Sequence, residues 1–383
     1  MAGPVDIALV SLGTTMGWRQ ADASLAAQVE AAGASCAVAP MRLGRAATLR
    51  RSMLLTDVVE ALGARRAAAA VAARATVYCS FTAALGQPER HPHAIRFDSI
   101  PSLNRPGAGG AWQRRREAAI LRRADLLLPM SEAASEAAAR ALGDGGPPRI
   151  VLPASVSSDA APAADAPAAI AYAANPVKRG LDILCAAWAA ARAELVGADP
   201  RAHPASGEKR PHTGRNSPQG GEGGAAAAPT LAIGGIAEGE ARAWLARQGV
   251  AVPAGVEFLG PLPRERWTAL VAGAGVYVSA ARYEDWGLAQ MEALAAGVPL
   301  VTVPTAGANV ALPLARELAP ALVAADCGAD ALAAALRAGL ALAPAARSAY
   351  ADRAAALMEP YSDAAQRRLV AEEILPALLG SRP

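Results

Sequence analysis

Lysine is nearly absent from this sequence. Only Lys178 and Lys209 are lysines among its 37 basic residues, and the others are arginines. Alanine is abundant as well, so we attribute the bias to coding composition. The number of arginines then does not by itself indicate nucleic-acid binding, and we predict no nucleic-acid partner.

Cysteine is also scarce. The four cysteines lie far apart and lack the spacing of a metal or redox site: Cys36, Cys79, Cys185 and Cys327. We therefore expect them to be buried small apolar side chains in a reducing, cytoplasmic protein.

Long apolar runs are missing. A membrane span needs about 20 consecutive apolar residues, and the longest candidate, 268–281, is shorter than that. The apolar N-terminal run contains Asp6 and has no basic region before it, so it predicts a first strand and not a signal peptide. A chain of 383 residues that is 53% hydrophobic is long enough for two domains, at about 150 residues each.

The first half of the chain alternates strands and helices, which predicts a parallel sheet covered by helices. A strand at 6–12, the loop GTTMG and a helix at 22–32 begin the series. The predicted strands that follow are 35–39, 76–81, 94–97, 126–129 and 150–152. His91 and His93 precede one of them and are expected at the surface. The fingerprint G-x-G-x-x-G is missing, which disfavours a nicotinamide dehydrogenase.

A proline-broken segment at 153–168 predicts a linker between two domains, 1–155 and 165–360. The second domain begins with a strand at 169–173 and a loop that carries Lys178 and Arg179. Residues 197–228 are rich in glycine, proline and polar side chains, which predicts a disordered insertion. Gly234 and Gly235 follow the next strand, where they either let a nucleotide approach the backbone or form a simple turn.

The chain is organised around one stretch, 275–309, which predicts a strand, a loop, a helix at 287–296 and a second strand. Such a βαβ unit has parallel strands, and ligands bind beyond their carboxyl ends. The loop at that edge carries Glu284 and Asp285. Asp285 is also a candidate helix N-cap.

Glu292 lies on the predicted helix among leucine and alanine, without a basic residue three or four positions away. A glutamate on an apolar face needs a partner from elsewhere. That partner is either a ligand or, in the alternative interpretation, a buried backbone donor or an arginine of a neighbouring element.

The segment EDWGLAQMEALAAGVP resembles the signature of retaining, family-four type nucleotide-sugar glycosyltransferases (glycosyl transferases group 1) with the GT-B fold. Two glutamates seven residues apart are followed by small residues, glycine and proline. The resemblance implies an α/β protein with two Rossmann-like, doubly wound domains facing a cleft. It also implies that the last segment, 361–383, returns as a helix to the first domain.

The resemblance assigns roles to the residues of the motif. Glu292 would bind the ribose hydroxyls of the nucleotide and Glu284 the transferred sugar, while the backbone near Gly287 and Leu288 would contact the sugar or its phosphate. Asp285 lies in the same loop.

Outside the motif, the resemblance implies further contacts. Lys178 and Arg179 would neutralise the departing diphosphate, and Gly13 and Thr14 would face the cleft, unless their loop is a plain tight turn. Asp98 is a candidate acceptor contact, whereas Phe97 stands where many relatives have a histidine.

Two positions depart from the family pattern. Ala174 replaces the usual arginine of a Gly-Arg pair, so one phosphate-binding cation is missing from its usual place. Asn309 replaces an acidic residue in the loop after the second strand and remains a candidate nucleotide contact.

No D-x-D pair occurs in the sequence, so we expect no metal and no cofactor. The expected partners are a nucleoside diphosphate sugar and a hydroxyl acceptor, which is a glycan, a lipid or a small molecule. Residues 1–155 hold 18 arginines against 12 acidic residues, and 112–123 is a basic helix. Peripheral contact with the inner face of a membrane and ordinary solvated arginine faces both remain open.

The predicted function is therefore metal-independent, retaining sugar transfer in the cytoplasm. Two alternatives remain: a nucleotide-sugar 2-epimerase of the same fold, and a non-catalytic nucleotide- or sugar-binding subunit. The epimerase would need extra acid and base groups, and no such cluster is evident in the N-terminal loops.

Overall fold

A computed structural model of the protein describes most of the chain. The described residues are 3–14, 16–43, 53–88, 90, 92–105, 107–156, 159–196 and 228–380. The predicted disordered insertion at 197–228 falls, apart from Ala228, outside these ranges.

The first domain is built on a parallel sheet that has five strands in the described part of the chain, in the order β2-β1-β3-β4-β5. Its strands are β1 Val5–Ser11, β2 Cys36–Pro40, β3 Ala73–Tyr78, β4 His93–Phe97 and β5 Leu126–Pro129. Its helices are α1 Met16–Ala31, α2 Met53–Ala69, α3 Phe81–Ala84, α4 Pro101–Asn104, α5 Ala111–Arg122 and α6 Glu132–Leu142. All four strand pairings are parallel.

The second domain repeats this plan, with five described strands in the order β10-β9-β6-β7-β8. The strands are β6 Ala169–Tyr172, β7 Leu231–Gly234, β8 Val256–Gly260, β9 Val276–Ser279 and β10 Leu300–Thr302. The helices are α7 Leu181–Leu195, α8 Glu238–Arg247, α9 Arg264–Gly273, α10 Leu288–Ala295, α11 Ala311–Leu318, α12 Ala329–Leu340 and α13 Pro344–Met358. The predicted α/β class with two doubly wound domains is confirmed.

Both sheets are covered by helices, so their strands read as continuous apolar runs and not as alternating patterns. Leu126, Leu127 and Leu128 of β5 are all fully buried, although neighbouring strand residues point to opposite faces. The largest fully buried side chain, Trp188 of α7, lies in the core of the second domain.

The C-terminal segment returns to the first domain. It consists of α14 Asp363–Leu369, a π-helical turn Val370–Ile374 and α15 Leu375–Leu379. Val370 and Ile374 are buried in one cluster with Ile7 and Leu9 of β1. The C-terminal segment thus completes the core of the first domain.

The predicted strand at 150–152 is wrong. Residues 150–156 form neither helix nor strand, and on this side β5 makes only an isolated bridge, between Leu127 and Arg149. The backbone N–H of Leu152 still donates to the carbonyl of Pro129, at 2.8 Å. Prolines at 147, 148 and 153 lack the N–H that a continuous ladder requires, which limits the pairing to these bonds.

One prediction of exposure and one prediction of burial are also wrong. His93 is buried, because β4 begins there and its ring packs edge-on against Tyr78, with centroids 5.8 Å apart. His91 lies outside the described residues. Cys79 and Cys185 are buried as expected, but Cys327 is exposed, so burial does not explain that cysteine.

No single helix among the described residues is long and apolar enough to cross a membrane. One helix pair, Ala329–Leu340 with Pro344–Leu379, reaches the required length and composition only jointly and is bent by 103°.

Candidate active site

A cavity of about 450 Å³ lies between the two domains. Gly17, Trp18, Asp98 and Met130 line it from the first domain, just beyond the carboxyl ends of β1, β4 and β5. The loops after β6, β7, β8 and β9 line it from the second domain. Ligands of open parallel sheets bind at this edge of the strands.

Glu284 lines this cavity from the second domain and is only 4% exposed. Its backbone N–H donates to the carbonyl of Ala306 at 2.9 Å, which ties the acidic loop to the loop after β10. Arg179 forms an ion pair with the Glu284 carboxylate, and Lys178 Nζ lies 3.9 Å from its Oε1. Lys178 Nζ also donates to Asp285 Oδ2 at 3.2 Å.

The loop that carries the two cations is shaped by its own short hydrogen bonds. Asn175 accepts from the backbone N–H of Lys178 through its side chain and from that of Arg179 through its carbonyl, both at 2.9 Å. Gly180 follows with φ +61°, and a Cβ there would clash with the carbonyl oxygen of Ala280. Only glycine allows this close approach, which places the cations directly beside the acidic loop.

Glu292 also lines the cavity and is 4% exposed. Arg264, the first residue of α9, forms an ion pair with its Oε1, and Trp267 Nε1 donates to its Oε2 at 2.9 Å. The structure therefore confirms the alternative interpretation, in which Glu292 is paired with an arginine of a neighbouring element. The Glu292 carboxylate nevertheless still lines the cavity.

The predicted N-cap at Asp285 is wrong. Helix α10 begins after Gly287, whose φ of +86° is left-handed, and no side chain caps it. The start of α10 at Gly287 and Leu288 lines the cavity, where unpaired backbone N–H groups favour an anion.

Asp98 faces the same cavity from the first domain. Burial raises the pKa of this carboxyl to about 7, and the nearby Asp285 charge acts in the same direction. A carboxyl whose pKa is raised toward neutrality suits a group that exchanges a proton. Phe97 is fully buried behind it.

The cavity brings together most of the residues singled out from the sequence. Those that line it are Lys178, Arg179, Gly235, Glu284, Asp285, Gly287, Leu288, Glu292 and Asp98.

The others lie elsewhere. Thr14 lines a smaller neighbouring cavity, Gly13 accepts a hydrogen bond from Arg19 through its carbonyl, and Gly234 packs against Trp267. Asn309 is buried behind Gly287, where its side chain donates to Gln290 and accepts from the backbone of Ala311. These contacts explain Asn309 as a structural residue.

Sequence reasoning missed three residues that matter for the site. Arg264 adds a third cation to the cavity, and Trp267 helps to hold Glu292. Trp286 donates from Nε1 to the carbonyl of Met130 at 3.1 Å and so joins the two domains. A signal for Arg264 was present, because it follows β8 at the same edge of the sheet as the acidic loop.

Comparison with known proteins finds a family match for part of the chain. Residues 228–357 match the family model of glycosyl transferases group 1. This part of the chain therefore resembles a group 1 glycosyltransferase domain. The matched region includes Glu284, Glu292 and Arg264, whereas Lys178 and Arg179 precede it. A search of curated protein sequences gives no match.

Several solved structures are similar over nearly the whole chain. Sucrose-phosphate synthase from Thermosynechococcus elongatus is 16% identical, with a TM-score of 0.66 and coverage of 97% of this chain and 100% of that one. HepE from Anabaena, in complex with UDP-glucose, is 14% identical, with a TM-score of 0.63 and coverage of 96% and 98%. WaaG, a glycosyltransferase of lipopolysaccharide biosynthesis, is 14% identical, with a TM-score of 0.62 and coverage of 98% and 100%.

At these identities the structures show the fold, which is GT-B as predicted. The family model adds the enzyme class, so the predictions of a glycosyltransferase and of sugar transfer from a nucleotide sugar are confirmed.

Proposed function

We propose that this enzyme transfers a sugar from a nucleoside diphosphate sugar to an acceptor hydroxyl, with retention of anomeric configuration and without a metal ion. The observation that carries the proposal is the meeting of Lys178, Arg179 and Arg264 with Glu284 and Glu292 around one cavity. The cations suit a diphosphate and the carboxylates suit hydroxyl groups.

The cations supply the charge that the leaving group requires. When the bond between the anomeric carbon and the diphosphate oxygen breaks, negative charge grows on the diphosphate, and fixed cations stabilise it in the transition state. Arg264 lines the same cavity as Ala174 and can therefore supply the positive charge that the alanine lacks. The open start of α10 adds backbone N–H groups to the same task.

The two buried glutamates position the donor. Each carboxylate oxygen can accept about two hydrogen bonds, so Glu292 can bind ribose hydroxyls while Arg264 and Trp267 hold it in place. Glu284 would bind hydroxyls of the transferred sugar and would not act as a nucleophile. Because HepE is solved with UDP-glucose, a UDP-sugar is the first donor to test.

Retention is proposed because the glutamate motif resembles that of retaining glycosyltransferases. The acceptor oxygen attacks the anomeric carbon on the face from which the diphosphate leaves. The proton of the acceptor hydroxyl passes to the departing phosphate oxygen, so no covalent sugar–enzyme bond is needed. The new glycosidic bond thus replaces the bond to the diphosphate on the same face.

A nucleotide-sugar 2-epimerase is the second candidate. It would need acid and base groups around the sugar, and the first domain brings Asp98 to the cavity, with its pKa raised to about 7. Sugar transfer is still favoured by the family match. Incubation of the donor without an acceptor separates the two, since an epimerase alone would return a changed sugar.

The alternative of a non-catalytic binding subunit rested on the loss of a phosphate-binding cation. Arg264 supplies a cation at the cavity and removes that reason.

Membrane contact and a cytoplasmic location stay predictions. Helix α5 buries Gln113, Glu117 and Leu121 in the first domain and leaves Arg115 and Arg116 exposed.

The test is a thermal-shift screen of UDP, GDP, ADP and their sugars in the presence of EDTA, followed by turnover with acceptors. We expect one nucleoside diphosphate to raise the melting temperature by mass action, and its sugar to be transferred with the configuration unchanged by NMR. A broad panel that gives neither binding nor transfer would refute the proposal. Activity that EDTA abolishes and a divalent cation restores would refute metal independence alone.

A further inference from the structure

Arg282 lies in the acidic loop, but its contacts go to the loop at 174–180 that carries Lys178 and Arg179, which we call the cation loop. Arg282 is not one of the described residues that line the cavity, and its side chain is 42% exposed. Its guanidinium donates from Nη1 to the carbonyl of Val177 at 3.0 Å, and its backbone N–H donates to the carbonyl of Lys178 at 2.9 Å. Arg282 therefore holds two successive carbonyls of the cation loop.

The same guanidinium reaches the helix that follows the cation loop. Nη2 of Arg282 donates to Asp182 Oδ2 at 2.6 Å, and Asp182 lies in the first turn of α7. Burial disfavours the ionised Asp182, yet the hydrogen bond and the charge of Arg282 lower the pKa of its carboxyl below the ordinary value. Because the guanidinium presents a planar fork of donors, one side chain can hold the Val177 carbonyl and the Asp182 carboxylate together.

The backbone of the cation loop is thus held through its donors and through its acceptors. Asn175 accepts from the N–H groups of Lys178 and Arg179, while Arg282 donates to the carbonyls. Both backbone polar groups of Lys178 are therefore paired, which fixes the direction in which its side chain leaves the loop. A loop that is ordered before a ligand arrives does not have to be ordered at the cost of affinity.

We infer that Arg282, held by Asp182, is a positioning residue for the diphosphate of the donor and acts through the cation loop without touching the substrate. The inference rests on the proposed function, in which Lys178 and Arg179 bind the diphosphate.

The ion pair allows position and charge to be separated by the sign of one effect. Loss of the negative charge of Asp182 would by itself strengthen the binding of an anion nearby. Loss of its carboxylate also releases the guanidinium of Arg282 and with it the cation loop. Positioning therefore predicts weaker binding of the diphosphate to Asp182→Ala, whereas an effect of charge alone predicts tighter binding.

The test is a calorimetric titration of Arg282→Met, Asp182→Ala and the double variant with UDP and with uridine, or with the GDP or ADP pair if the thermal-shift screen selects it. Methionine keeps an unbranched apolar stem and removes the donors. We expect each single variant to lose roughly tenfold in affinity for the diphosphate, because two long cationic side chains must then be ordered on binding. Affinity for the nucleoside should change little. The double variant should lose no more than Arg282→Met, because Asp182 acts through Arg282.

Arg266→Met is the matched control. Arg266 forms a bidentate ion pair with Asp165 in the same domain, and its side chain is 44% exposed, close to the value for Arg282. The control therefore loses the same kind of contact without releasing the cation loop. It should change the affinity for neither ligand, and thermal melts of all variants confirm that they are folded.

Three results would overturn the inference: wild-type affinity of Arg282→Met for the diphosphate, tighter binding of the diphosphate to Asp182→Ala, or equal losses for the diphosphate and the nucleoside. If Arg282→Met does not fold, the sign of the effect in Asp182→Ala decides alone. If the wild type binds the diphosphate no more tightly than the nucleoside, the proposed function fails instead. The two failures are therefore distinguishable.

Discussion

Replacing Asp98 by asparagine is expected to stabilise the protein above neutral pH and to change its stability little near pH 4. Burial, and then the charge of Asp285, raise the pKa of Asp98 from 3.8 to about 7 in the folded protein. The unfolded chain releases this proton near the ordinary value. The folded state therefore loses stability as the pH rises from about 4 through about 7, and asparagine has no such loss.

The size of the effect follows from the shift. One pKa unit corresponds to about 1.4 kcal/mol, so a shift of about three units sets an upper limit of about 4 kcal/mol. The Asp98 side chain is half-buried at the edge of the cleft, which lets solvent screen its charge. We expect about 1 to 2 kcal/mol in the free energy of unfolding at about pH 8, or a few degrees in the melting temperature.

The assay compares thermal melts of the wild type and Asp98→Asn at about pH 4 and about pH 8. Asp165→Asn is the control, because Asp165 is an exposed partner of Arg266 and its pKa is lowered by that hydrogen bond, not raised. It should show no gain at high pH. Equal stabilisation by Asp98→Asn at both pH values, or a loss at the higher one, would refute the reasoning.

Two further substitutions probe the start of α10 and the contact between domains. Gly287→Ala adds a Cβ at φ +86° and 2.8 Å from Asn309 Oδ1, whereas Gly33→Ala adds one at φ +85° with nothing within 4 Å. Both substitutions should cost about 1 to 2 kcal/mol of backbone strain. Only Gly287→Ala should also weaken donor binding in a nucleotide titration, and equal effects of the two variants on donor binding would contradict this. Trp286→Phe keeps an aromatic ring and loses the hydrogen bond to the Met130 carbonyl. Thermal melts should show a loss of about 1 kcal/mol in the free energy of unfolding, and kinetics should show a higher KM for the donor. An unchanged KM would show that this hydrogen bond does not hold the cleft in place.

Local pattern was enough to predict the central βαβ unit. The short apolar strand and the helical pattern after it place Glu284 in the loop beyond the strand's carboxyl end and Glu292 on the helix that follows, and both line the cavity. The pattern predicts parallel sheets equally well, because strands buried on both faces differ plainly from amphipathic helices.

Contacts between distant loops could not be predicted in this way. Arg264 is 28 residues from Glu292, and nothing local indicates that the two meet. Asp57, Arg105 and Gln113 come from three different helices or loops and form one network only after the sheet is assembled. The N-cap at Asp285 failed for a related reason: its carboxylate is drawn to Lys178, on another loop, and Gly287 begins the helix instead.

Calorimetric titration with EDTA present is the most direct test of the account. It would compare the affinities of the matching nucleoside diphosphate and of the bare nucleoside for the wild type and for Lys178→Ala, Arg179→Ala and Arg264→Ala. If the three cations hold the diphosphate, each variant should lose about tenfold or more for the diphosphate and little for the nucleoside. A wild type that binds the diphosphate no more tightly than the nucleoside would contradict the central claim.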